Sequence, residues 1–262
     1  MTELLAYLGT GAVAGVLAGL LGIGGGLVIV PALAAVFSLR GFPAANLMHF
    51  AIGTSLATIV PTSVSSLLSH HRRGGIHWQA VRGMTPGIVL GALGGAWLAG
   101  QITSPGLGLL FGVFELLVAL QLLAGRQPGA HRSLPGSMSL SLAGVMIGAV
   151  SALLGIGGGT LTVPFLLWNR VDIRSAVGTA AACGLPVAIA GAAGFAVGGL
   201  GADAPGGMNT GFIYWPAVAG IVSTSILAAP LGARLAHHLP RPVLRRIFAL
   251  VLALIGLRMI SA

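Results

Sequence analysis

Apolar residues run along this chain in ten blocks separated by short gaps, and most of the charged side chains fall in the gaps. The blocks cover 4–21, 26–39, 44–69, 78–100 and 105–124, then 138–154, 159–169, 174–199, 212–236 and 242–261. A helix of about 20 apolar residues crosses the hydrocarbon layer of a bilayer, so the pattern predicts an all-α polytopic membrane protein. The second and seventh blocks are short, follow glycine triplets and contain a proline, which predicts short interrupted helices within the membrane.

The pattern is doubled. Leu20-Leu21-Gly22-Ile23-Gly24-Gly25-Gly26 returns as Leu153-Leu154-Gly155-Ile156-Gly157-Gly158-Gly159, and Pro31 returns as Pro164, each position 133 residues from its copy. Gly53-Thr54 and Pro61 match Gly178-Thr179 and Pro186 at a spacing of 125. Trp78, Gly83, Pro105 and Phe111 match Trp215, Gly220, Pro242 and Phe248 at 137. All five blocks of each half take part, giving a first transmembrane repeat over 1–126, an inner linker over 127–136 and a second repeat over 137–262.

Charge gives the halves an orientation. The gap holding Arg72 and Arg73 corresponds to the gap near Asp203, which has no basic residue. The neutral gap from Gln101 to Ser104 corresponds to the one carrying Arg234, Arg241, Arg245 and Arg246. Corresponding gaps therefore have opposite character, as two five-segment inverted-topology repeats require. With both termini outside, all arginines except Arg40 and Arg258 collect on the inner side, in keeping with the positive-inside rule.

Composition narrows the class further. Only 6% of residues are charged and the mean hydropathy is +1.00, whereas soluble domains carry about a quarter charged residues. The net charge of +9 comes from arginine alone and reads as membrane topology with contact to lipid headgroups, not as a nucleic-acid groove. Cys183, the single cysteine, excludes an intrachain disulfide. The histidines at 70, 71 and 77 have no carboxylate or cysteine beside them and do not match zinc spacing, so no metal is expected. The first block reads as a retained helix, because no basic residue precedes it.

Inverted repeats with interrupted helices are the architecture of secondary transporters. A helix amino terminus presents unpaired N–H groups and partial positive charge, and glycine lets a ligand approach that backbone. Gly24, Gly25 and Gly26, with Gly157, Gly158 and Gly159, are therefore the candidate anion site. Thr54, Ser55 and Thr179 are candidate hydroxyl donors, with Thr160 and Thr162 after the second break behind them. Ala180 stands where a second serine would match Ser55, so the site is expected to be asymmetric. Glu115 is the carboxylate deep within a span, a candidate proton carrier or a protonated structural group. His49 reads as an interfacial histidine.

Taken together, the doubled L-L-G-I-G-G-G motif, Gly53-Thr54-Ser55, His70 with Arg72-Arg73-Gly74, and Ala176-Val177-Gly178-Thr179 resemble the sulfite exporter TauE/SafE family of membrane permeases. The resemblance implies a two-repeat fold in the bacterial cytoplasmic membrane, without cofactor. It also implies transport of a small sulfur oxyanion or organosulfonate, not catalysis. A passive anion channel shares these residues. An intramembrane hydrolase would need a nucleophile beside a base, and no G-x-S-x-G elbow is present.

Overall fold

The computed structural model describes residues 2–21, 25–124, 134–238 and 241–261. Among the described residues there are ten helices: α1 (Thr2–Leu21), α2 (Gly26–Leu39), α3 (Leu47–Arg72), α4 (Trp78–Ala99), α5 (Ser104–Ala124), α6 (Ser137–Leu154), α7 (Gly159–Trp168), α8 (Ile173–Gly198), α9 (Trp215–His238) and α10 (Arg241–Ser261). They follow the ten apolar blocks closely. Among the described residues, α3, α5, α6 and α8 combine the length and hydropathy of a full membrane span. The 10 residues of α7 and the 14 of α2 reach only about 15 and 21 Å at 1.5 Å per residue. These two helices are too short to cross alone, as the glycine-triplet pattern predicts. Of the expected inner linker, 127–133 lies outside the described residues.

Helix contacts repeat from one half to the other with the partners exchanged. Helix α1 packs lengthwise on α9, and α6 packs in the same way on α4. A side chain at Gly11 or Gly15 would collide with the backbone of Ile221 or Ser225; at Gly144 or Gly148 it would strike Met84 or Ile88. These are corresponding positions in the two copies. Small residues let helix backbones meet in this way within lipid. Thr224 adds a 2.8 Å bond from its hydroxyl to the carbonyl of Leu8.

The other two pairings join equivalent helices. Gly53 of α3 lies against Phe195 of α8, and Gly178 of α8 lies against His70 of α3. Contacts at the start of one helix thus meet the end of the other, so α3 and α8 run antiparallel. Helices α5 and α10 also cross antiparallel, where Gly112 and Gly256 face one another and Gly108 lies against Met259. The core sits around α3 and α8, whose residues Phe50, Ile52, Leu56, Val187 and Phe195 are buried.

One element lies outside the apolar pattern. The segment after α8 forms a small hairpin, β1 (Asn209–Thr210) paired antiparallel with β2 (Ile213–Tyr214), so α9 begins at Trp215 and not at 212. The repeat spacing rises from 125 at Pro186 to 137 by Gly211, so the insertion in the second copy ends before β2, whose Ile213 and Tyr214 match Ile76 and His77. Asn209 fixes it by donating to the carbonyls of Ala202 (2.7 Å) and Gly211 (2.8 Å). Gly211 has φ +55°, and a side chain there would collide with Ala196.

Candidate functional site

The two glycine breaks meet. A Cβ at Gly26, the first residue of α2, would stand 2.7 Å from both the carbonyl oxygen of Gly155 and the Cα of Ile156. Gly155 ends α6 in the left-handed conformation (φ 68°), and a side chain there would also press on Ile52 of α3 and Val30 of α2 at about 3.0 Å. Ser55 closes the arrangement by donating a 2.8 Å hydrogen bond to the Gly155 carbonyl. Ala180 holds the corresponding place in the second copy and has no hydroxyl to offer. Gly25 caps α2 without a side-chain hydrogen bond, whereas Gly24 lies outside the described residues.

The second break opens toward α8. Gly158 caps α7, again with no side-chain bond, and a Cβ on it would lie 3.3 Å from the amide nitrogen of Gly184 and 3.5 Å from Oγ1 of Thr162. Gly184 is near the middle of α8, so α7 starts deep inside the protein. Ser63 of α3 approaches the same place, its Oγ 3.4 Å from a Cβ built on Gly184. Among the described residues the buried hydroxyls of Ser151, Thr160 and Thr162 have no hydrogen-bond partner. Ser151 gave no signal in the sequence, since a serine in an apolar helix ordinarily bonds its own backbone.

The hydroxyls of Thr54 and Thr179 are each engaged by a backbone N–H. The hydroxyl of Thr54 accepts the backbone N–H of Tyr214 at 3.0 Å, and that of Thr179 accepts the N–H of His77 at 2.8 Å. The two bonds join corresponding positions of the copies. Each anchors the entry into α9 or α4. Thr58 and Thr62 return their hydroxyls to their own helix.

Glu115 is fully buried in α5, and both of its carboxylate oxygens lack a partner. Its Cβ lies 3.2 Å from a Cβ placed on Gly256 of α10, so it sits in the α5–α10 crossing and not beside the breaks. His49, at the start of α3, is buried within the protein. It is 5% exposed and its Nε2 lies 3.0 Å from the carbonyl of Ala99, which only accepts, so the ring proton sits on Nε2. At the opposite end of the α3–α8 pair Asp172 caps α8, accepting from the N–H groups of Arg174 and Ser175. Its bonds with Ser175, then with the Arg174 backbone, hold the carboxyl below its usual range.

A cavity of about 470 Å³ lies elsewhere, between α3, α8 and α9, lined by Ala57, Pro61, Ala192, Trp215 and Val222. Its walls are too apolar to hold an anion. The breaks remain the candidate site.

Residues 7–259 match the family model described as sulfite exporter TauE/SafE. The chain belongs to the TauE/SafE sulfite exporter family. Relatives in curated proteins include a probable membrane transporter protein of Haemophilus influenzae, 38% identical over 260 residues and covering 98% of each chain. A second, from Methanocaldococcus jannaschii, is 28% identical over 255 residues, covering 95% of this chain and 92% of its own. No solved structure matches. As a TauE/SafE protein with this helix content, the chain is a multi-pass membrane transporter and not an enzyme.

Proposed function

We propose that this TauE/SafE protein is a secondary transporter of a small sulfur-containing anion, such as sulfite or an organosulfonate, working by alternating access in the bacterial cytoplasmic membrane. The observation that carries the reading is the direct approach of Gly26 to Gly155–Gly157, which brings the uncapped start of α2 beside the break that leads into α7. Oriented N–H groups and helix dipoles attract negative charge there, and binding at interrupted helices between related halves is the common design of such carriers. The antiparallel crossings of α3 with α8 and of α5 with α10 support halves of inverted topology, since equivalent helices related by an axis in the membrane plane must run oppositely. The division into 1–126, 127–136 and 137–262 follows from the same reading. Glu115, buried with no partner, is the proton carrier of this scheme.

Flux into proteoliposomes tests it. Saturable uptake of labelled methanesulfonate or sulfite, with exchange when the same anion is inside, is expected of a carrier. Conductance without saturation would make the protein a channel, and no flux of any such anion would remove the reading. Proton coupling is tested by Glu115→Gln, in which the dependence of uptake on a pH gradient disappears.

A further inference from the structure

We propose that, of the two breaks, the second supplies the side-chain donors of the anion site, and that this site accepts singly charged anions and rejects doubly charged ones; this rests on the transporter reading above. Two differences between the breaks carry the argument. The first is polar equipment. Ser151 and Thr162 are 0% exposed and Thr160 is 9% exposed, and the hydroxyl of each is buried with no partner. At the corresponding positions of the first copy stand Ala18, Leu27 and Ile29. A buried hydroxyl without a partner destabilises a fold, so natural proteins rarely keep one. Helical hydroxyls normally bond back to their own carbonyls, and in this chain Thr58, Thr85 and Ser223 do so. Three hydroxyls left unused around one break point to a ligand that completes them. Thr162 is directed at the break itself, its Oγ1 3.5 Å from a Cβ on Gly158.

The second difference is in the backbone. At the first break the N–H groups of Val28 and Ile29 both bond to Gly25. At the second, Thr162 N–H bonds to Gly158, but Leu161, which corresponds to Val28, has no such bond among the described residues. The second helix start therefore keeps more of its donors for a ligand.

Charge selectivity follows from what surrounds these donors. No acidic, basic or histidine side chain occurs between Ser133 and Asn169, nor between Ser175 and Gly198 on α8, nor between Phe50 and Ser69 on α3. Cys183, beside Gly184, is the titratable group of those stretches. Arg170 follows the far end of α7. The site thus offers hydroxyls, amide N–H groups and a helix dipole, all neutral overall. The cost of removing an ion from water rises with the square of its charge, and neutral donors do not grow fourfold stronger to match. An alkanesulfonate or hydrogen sulfite fits such a site, whereas sulfate and the sulfite dianion do not.

Competition against labelled methanesulfonate uptake in proteoliposomes holding the full chain tests this. Sulfate is expected to compete at least about tenfold more weakly than unlabelled methanesulfonate. Sulfite should compete well below neutral pH and progressively worse above it, as hydrogen sulfite loses its proton, each value being taken relative to unlabelled methanesulfonate at the same pH so that titration of the protein cancels. Ser151→Ala and Thr162→Val should each raise the half-saturating concentration about five- to tenfold, with Thr162→Ser restoring it and Ile29→Val at the first break leaving it within about twofold. Equal competition by sulfate, or wild-type kinetics in both Ser151→Ala and Thr162→Val, would overturn the inference while leaving a transporter standing. Absence of all uptake by the wild type would remove both.

Discussion

The two ends of the α3–α8 pair are held by the same hydrogen bond in different company. At one end Thr54 takes the N–H of Tyr214, and rings crowd around it. Phe42 stacks on Phe37 at 4.2 Å, Tyr214 meets both edge-on, and Phe212 reaches Phe50 and Phe195. Arg40 donates to the Tyr214 hydroxyl at 2.6 Å and to that of Tyr7 at 3.4 Å. At the other end Thr179 takes the N–H of His77, whose Nδ1 is buried with no partner, and the ring contact is His71 on Trp78. Duplication has kept the backbone anchor and let the plug around it diverge. Phe212 and Tyr214 stand where the first copy has Gly75 and His77, so substitution at matched positions separates the ends.

Several substitutions probe this contrast, all read by unfolding of purified protein in micelles. Phe212→Ala removes the ring by which the hairpin packs on Phe50 and Phe195 and should cost about 3 kcal/mol, as buried aromatic deletions do. A loss under about 1 kcal/mol would mean that the rings do not hold that end. Thr54→Val should cost about 2 kcal/mol, because it leaves the N–H of buried Tyr214 without an acceptor, while Thr179→Val at half-buried His77 should cost about 1 kcal/mol. Equal losses would erase the proposed difference between ends. Tyr214→Phe deletes the bond from Arg40 and should cost about 1 kcal/mol, with the ring stacking intact.

Asp172→Ala sits at the His77 end and should cost about 1 kcal/mol at neutral pH, the usual value of an amino-terminal cap. The Asp172 carboxyl is held below its usual range, so its contribution is present above the unfolded carboxylate value of about 4 and fades as pH falls through the lower folded value. Wild type and Asp172→Ala should therefore converge in stability only in strong acid. A difference that persisted unchanged there would mean that the cap acts through packing.

Much of this was legible in the sequence, for identifiable reasons. The apolar blocks named all ten helices, because a membrane demands long apolar runs and little else does. The glycine triplets marked both breaks, and the opposite charge of corresponding gaps implied that the two breaks approach one another. Partner choice was harder. Gly11, Gly15, Gly144 and Gly148 announce close packing but do not say against which helix. Asn209–Tyr214 is too short for an alternating strand pattern to emerge, so the hairpin went unseen. Thr54 and Thr179 looked like ligand groups because a hydroxyl in an apolar run is conspicuous, and the structure ties both to a neighbouring backbone.

The exchange of partners between halves also sets a timetable for assembly. The bond from Thr224 to Leu8 spans 216 residues of sequence, which at about 5–20 residues per second takes roughly 10–40 s to synthesise. Throughout that interval α1 stands in the bilayer with its glycine face against lipid, and α4 waits a shorter time for α6. A ribosome stalled after the first repeat would leave a half-protein whose two most closely packing helices have not yet met their partners, an exposed client for membrane quality control.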